Sequence, residues 1–181
     1  MKVIPTDLPG VLILEPELYR DDRGWFFESF NARRWREATG LERTFVQDNH
    51  SCSRRGVVRG IHYQVASVQG KLVRVVRGAI FDVAVDLRRS SPHCGRWTGV
   101  RLDAENRRQL WIPEGFGHAF LALADDTEVL YKTTDYYARE HERCIRWDDP
   151  DLAIAWPDAT GVVLSDKDRR AVPFREAELF P

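Results

Sequence analysis

Residues 71–87, KLVRVVRGAIFDVAVDL, decide the fold. Two runs rich in valine, Lys71–Val76 and Ala79–Leu87, are separated only by Arg77-Gly78, a pair suited to a tight turn. Both carry the β-branched residues that fit a pleated, half-buried surface. The pattern repeats outward in both directions. Val11–Leu14, Trp25–Phe30, Gly56–Gln64, Trp97–Leu102, Gln109–Ile112, His118–Ala124 and Glu128–Thr134 read as further strands. Asp21-Asp22-Arg23-Gly24, Ser90-Ser91-Pro92, Pro113-Glu114-Gly115 and Asp125-Asp126 punctuate them. One short helix is expected over Ala32–Thr39, with Asn31 as its N-cap and Gly40 closing it. Many short strands and few helices predict an all-β barrel or jelly roll with short peripheral helices.

Parity refines this. Successive side chains of a strand point to opposite faces. Lys71 therefore shares a face with Val73 and Val75, and Tyr131 shares one with Val129, while Glu128 and Lys132 take the other. A lysine on an apolar face sits either at a wet strand end or in a cavity. Gly60 interrupts the strand that carries Arg59 and His62, and a bulge there would spoil any assignment of their faces by counting.

The totals narrow the function. The chain has 181 residues, 43% of them hydrophobic, which suits one domain over 1–181 with a real core. No repeat, low-complexity segment or linker marks a boundary. A net charge of -1 gives no general electrostatic case for a nucleic acid partner. No secretory signal follows Met1-Lys2 and no stretch suits a membrane span, so a cytoplasmic protein is expected. Cys52, Cys94 and Cys144 are odd in number and widely spaced, which fits idle thiols better than a disulfide framework or zinc knuckle.

The titratable residues each have a plain structural reading. His62 and His118 lie in strands among apolar neighbours, where a hydrogen-bonded core histidine is commoner than a catalyst; His50, His93 and His141 lie in polar or turn contexts. Lys71 can lay its stem over valines at a surface, and Tyr131 can be an interior tyrosine with a satisfied hydroxyl. Asp168, in Ser165-Asp166-Lys167-Asp168-Arg169-Arg170, looks like part of a solvated charge run. Arg23 and Arg59 either face water or grip a phosphate. A metal site usually needs closely spaced histidines, but Gln64 follows His62 at i+2 and Phe120 follows His118 there, so no metal is expected. Neither a phosphate-cradling glycine loop nor a dinucleotide fingerprint occurs.

Taken together, the motifs resemble a known family. Phe45-Val46-Gln47-Asp48-Asn49-His50-Ser51 runs on to Gly56-Val57-Val58-Arg59-Gly60-Ile61-His62-Tyr63-Gln64. Asp22-Arg23-Gly24 with Phe26 and Glu28 precedes them, and Gln69-Gly70-Lys71-Leu72-Val73-Arg74 follows. Ile112-Pro113-Glu114-Gly115-Phe116-Gly117-His118, then Leu130-Tyr131-Lys132-Thr133-Thr134 with Tyr136-Tyr137, then Leu164-Ser165-Asp166-Lys167-Asp168 complete the order. Over nearly the whole chain this resembles the dTDP-4-dehydrorhamnose 3,5-epimerase family, except that Asp166 stands where the family more often has glutamate. The resemblance implies a cupin-type jelly roll, a homodimer, no metal or organic cofactor, and a dTDP-linked 4-keto-6-deoxy-sugar as substrate. It places the catalytic histidine at His62, its aspartate partner at Asp168, the enolate-stabilising lysine at Lys71 and the catalytic tyrosine at Tyr131. It places substrate contacts at Arg23, Glu28, Gln47, Asp48, Asn49, Arg59, His118, Glu142 and Lys167.

These residue types suit that chemistry. A ketone at C4 acidifies the hydrogens on C3 and C5, and inversion then needs a base, a stabiliser of the enolate oxygen and an acid on the opposite face. Histidine is a competent base near neutrality, and a carboxylate on its other nitrogen fixes the tautomer. Three rivals remain at this stage. One is a relative that inverts only C3 or only C5, another a metal-dependent cupin enzyme, and the third a sugar-binding barrel without catalysis.

Overall fold

The computed structural model describes residues 1–181. Two antiparallel sheets dominate it. The first runs in the order β1 (Lys2–Pro5), β2 (Leu12–Glu15), β10 (Gln109–Ile112), β7 (Lys71–Arg77), β12 (Thr127–Thr133), β5 (Gln47–Ser53). The second runs β13 (Glu142–Cys144), β6 (Val58–Gln64), β11 (Phe116–Ala122), β8 (Ala79–Asp86), β9 (Trp97–Asp103). A separate hairpin joins β3 (Tyr19–Asp21) to β4 (Gly24–Phe26). Strands adjacent in sequence repeatedly change sheet: β7 and β8, read above as neighbours across Arg77-Gly78, lie in opposite sheets. This is the all-β, cupin-like jelly roll.

The facing sides of the sheets enclose the main core, which includes Val73, Val75 and Val129 from the first sheet and Ile80, Ala84 and Phe120 from the second. The outer face of the second sheet is covered by the C-terminal segments, with Ile61, Val83 and Val85 packed among Leu152, Trp156 and Ala177. Trp35 of α1 (Ala32–Thr39) covers the other outer face, on Leu14, Leu72 and Trp111. Full burial of such side chains stabilises by roughly 1.5–3 kcal/mol each. Asn31 caps α1 through its side chain, and Gly40 ends it at φ 70°, as its sequence predicts.

The differences from the sequence reading have local causes. The expected strand Trp25–Phe30 stops at Phe26, because the chain must turn to present Asn31 as a helix cap. Strand β5 was not read as one. Its sequence QDNHSCS carries no apolar alternation, since one side of it faces water and the other a polar pocket. The short strands β1, β3 and β13 likewise go beyond the sequence reading, since three or four residues carry too little alternation to mark a strand.

Candidate active site

One end of the space between the sheets stays open as a pocket of about 240 Å³. The first sheet supplies Gln47, Asn49 and Ser51 of β5, Lys71 of β7 and Tyr131 of β12. The second supplies Arg59, His62 and Gln64 of β6, His118 and Phe120 of β11, and Glu142 of β13. Parity explains the first set: Gln47, Asn49 and Ser51 alternate inward, and Lys71 and Tyr131 stand on the apolar face of their strands.

Arg59 and His62 are three apart and should oppose one another in a regular strand. The register of β6 on β11 shifts between the pairs His118↔His62 and Phe120↔Arg59. Gly60 and Ile61 there oppose Ala119 alone, a bulge that turns both side chains into the pocket. Gly60 takes φ +121°, and a Cβ on it would lie 2.5 Å from the Ala119 Cβ and 2.5 Å from the His118 carbonyl. Only glycine fits this position.

His62 Nε2 lies 2.5 Å from Oδ1 of Asp168, whose side chain is almost fully buried. Asp168 sits on the single turn α2 (Asp166–Arg169), the one residue of it that points inward. Bridges Val57↔Val163 and Ile145↔Val172 pin the chain on either side of that turn against β6 and β13. The Ser165 hydroxyl donates to Asp168 Oδ2 at 2.7 Å and accepts from its backbone N–H at 3.1 Å. The solvated reading of this charge run thus fails for Asp168 and holds for its neighbours. Burial pushes the His62 pKa below its ordinary value despite the carboxylate beside it. Burial also opposes ionisation of Asp168, but hydrogen bonds from His62 and Ser165 hold that carboxyl low. The pair therefore rests as neutral imidazole and carboxylate, with Nε2–H donating and Nδ1 free to accept a proton.

Lys71 is buried, and its Nζ donates to the His62 carbonyl at 3.3 Å. Burial drags its pKa down to about 8, against the pull of Asp82 and Glu142. His118 Nε2 bonds Oδ1 of Asp82 at 2.7 Å, in a second, fully buried imidazole–carboxylate pair. Burial raises the Asp82 carboxyl, an effect His118 and Lys71 partly offset. Tyr131 reaches in from the sheet opposite His62, its phenol pushed up by burial and eased by Arg59 and Lys167. Glu142 accepts from Lys167 Nζ at 2.7 Å and from the Tyr137 hydroxyl at 3.1 Å. Arg59 donates to Ser53 Oγ at 3.1 Å.

Three residues singled out by the sequence lie elsewhere within this chain. Asp48 has the outward parity of β5 and pairs with Lys132 at 2.9 Å. Arg23 is exposed at the β3–β4 turn against Asp21. Glu28 binds Arg34 at 3.0 Å beside α1. Conversely, Asp82, Phe120 and Tyr137 were given no role from sequence. Asp82 and Asp86 are the two charges in the buried run of β8; Asp86, at its end, pairs with Arg88 nearby in sequence, whereas Asp82 has no charged partner nearby in sequence.

A jelly roll whose polar pocket sets a buried imidazole–carboxylate pair on one sheet against a phenol on the other, with a buried ammonium beside them, defines the acid–base isomerases of cupin type. The chain belongs to the dTDP-4-dehydrorhamnose 3,5-epimerase family, whose model matches residues 5–176. It is 56% identical, over the full length of both, to the dTDP-4-dehydrorhamnose 3,5-epimerase of Pseudomonas aeruginosa. A crystal structure of the epimerase from Legionella pneumophila in complex with dTDP-4-keto-L-rhamnose superposes with a TM-score of 0.95 at 48% identity, covering 98% of this chain and 94% of that one. A 3′-monoepimerase from Streptomyces bikiniensis, in complex with dTDP-quinovose, gives 0.89 at 39% identity, covering 97% and 88%.

Proposed function

We propose that this chain inverts C3 and C5 of dTDP-4-dehydro-6-deoxy-D-glucose to give dTDP-4-dehydro-L-rhamnose, by proton abstraction and return through an enolate. The observation that carries the reading is the His62–Asp168 pair on one sheet facing Tyr131 on the other across one pocket. His62 Nδ1 takes the proton from carbon, and Asp168 stabilises the imidazolium that forms. Lys71 places its charge beside the C4 oxygen, where negative charge develops only as the C–H bond breaks. Tyr131 returns a proton from the opposite side; a single base would tend to give it back to the face it left. Arg59 and Lys167 supply cations for the diphosphate, and Gln47, Asn49, His118 and Glu142 supply hydrogen-bonding groups for sugar and nucleotide. No step calls for a metal or an organic cofactor.

We also infer that the chain acts as a single domain, in the cytoplasm, as a homodimer. Free Cys52, Cys94 and Cys144 suit a reducing compartment. Tyr19, Trp25 and Phe26 are all exposed on the β3–β4 hairpin that carries Arg23, an apolar surface suited to a second copy. Inversion at one carbon only is the competing reading. The 56% identity to a relative named as a 3,5-epimerase, against 39% to the monoepimerase, favours inversion at both. NMR of dTDP-4-keto-6-deoxyglucose with the enzyme in deuterated water decides the matter. Deuterium is expected at C3 and at C5; exchange at one carbon alone would establish the monofunctional reading.

A further inference from the structure

Beside the His62–Asp168 pair lies a third ligating atom. Cys144 of β13 pairs in register with His62 of β6, and its Sγ lies 3.5 Å from Asp168 Oδ1. The nitrogen, sulfur and oxygen atoms of His62, Cys144 and Asp168 all fall within 4.8 Å of one another. Cys144 also lines a second groove of about 500 Å³, which adjoins the substrate pocket through Tyr63, Glu142 and Lys167.

We propose that His62, Cys144 and Asp168 form a binding site for a thiophilic divalent cation such as Zn²⁺, and that occupation of it stops the enzyme. This second clause rests on the catalytic pair assigned above. The donor set, one imidazole, one thiolate and one carboxylate, is among those zinc takes. Metal–ligand bonds of about 2.0–2.3 Å at tetrahedral angles put neighbouring ligand atoms roughly 3.4–3.6 Å apart. The Sγ–Oδ1 spacing of 3.5 Å already has that value. The 2.5 Å contact between His62 Nε2 and Asp168 Oδ1 must widen by roughly 1 Å, the His62–Cys144 pair, within 4.8 Å, must adjust to the same spacing, and the imidazole proton must shift from Nε2 to Nδ1. Ser165 holds the other carboxylate oxygen, so Asp168 keeps an anchor while Oδ1 turns to the metal. Burial and the Asp168 carboxylate push the Cys144 thiol up to about 12. A bound dication opposes both causes, and the thiol binds as thiolate with its proton released to solvent. Lys167 and Lys71 both oppose a cation at His62, and Glu142 pairs with Lys167 at 2.7 Å. With the metal on Nε2, the imidazole carries its proton on Nδ1 and Asp168 no longer pairs with the ring, so the base is lost while the nucleotide contacts remain.

Titration of the metal-free protein with Zn²⁺ by calorimetry, and with Co²⁺ by its thiolate charge-transfer absorption, tests the site directly. One equivalent of tight binding and a sulfur-to-cobalt band are expected. Cys144→Ala and His62→Ala should each weaken binding by at least about 100-fold, since even outer partners of metal ligands are worth 10–100-fold. Cys52→Ala, which removes the exposed thiol of β5, should leave it unchanged. Thermal melts of each variant separate loss of the site from loss of the fold. Zn²⁺ should abolish turnover but not dTDP binding, and EDTA should restore it. No binding by the wild type, or binding that survives Cys144→Ala in a folded protein, overturns the site. Tight binding with full turnover would leave the site standing and instead count against His62–Asp168 as the catalytic pair.

Discussion

At the scale of single residues, two side chains carry the sharpest tests. Lys71 is cationic only below its depressed pKa of about 8. The kcat/KM profile, which reports groups of the free enzyme, should therefore fall as pH rises through about 8. Its acid limb should lie below the ordinary histidine value, because His62 is shifted down and stays neutral to lower pH. Lys71→Met keeps the stem and removes the charge. Turnover should drop far more than dTDP affinity, because the interaction strengthens in the transition state. A rise in KM with kcat intact would make Lys71 a binding residue only. Tyr131→Phe deletes one hydroxyl beside Val129 and leaves the packing in place. His62, Asp168 and Lys71 still form the enolate, so the variant should wash deuterium into the substrate while producing much less inverted product per exchange event. An equal fall in exchange and inversion would remove Tyr131 from the role of acid. These residues were legible at different levels. Parity alone put Lys71 and Tyr131 on interior faces. The neighbours of Asp168 in sequence are charged and exposed, so nothing local announced its burial.

At the scale of elements, β6 is the critical strand. Gly60→Ala forces a side chain onto the Ala119 Cβ and the His118 carbonyl at 2.5 Å, in a left-handed conformation. Overpacking and strain of this kind cost roughly 1–3 kcal/mol each. A lower urea midpoint is expected, together with a loss of activity larger than the unfolded fraction explains, since the bulge aims both Arg59 and His62. A variant with wild-type stability and turnover would show that the bulge is not needed. The sequence marked Gly60 as a break but left the facing of its neighbours open, because the size and place of a bulge depend on the partner strand. The strongly apolar strands β7 and β8 and the capped helix α1 were legible, since period and capping are local properties. Strand β5 was not, because an alternation of polar-to-water with polar-to-pocket carries no hydropathy signal.

At the scale of the whole molecule, the proposed dimer rests on the exposed Tyr19, Trp25 and Phe26 of the hairpin. Light scattering at micromolar concentration should give twice the 21.0 kDa chain mass. Trp25→Ser with Phe26→Ser should shift it toward monomer, and a rise in the KM for substrate is expected where a second copy's hairpin carries Arg23 toward this pocket. A monomeric wild type would defeat the dimer. No helix of the chain is long and apolar enough to cross a membrane. The sequence by itself determined the β-rich architecture, the helix and its caps, and the inward parity of Lys71 and Tyr131. The ordered motifs determined the family. Each of these rests on residues near one another in the chain, where period, turn chemistry and spacing act directly. Only the tertiary structure decided that Asp168 meets His62 from 106 positions away, that Asp82 is buried against His118, that Asp48 turns outward, and that Cys144 stands beside the His62–Asp168 pair. The reason is physical: these contacts join strands distant in sequence within each sheet, or bring a C-terminal turn onto the second sheet. Their energies depend on burial and on the distance between charges, which exist only once strand pairing and the C-terminal packing are complete.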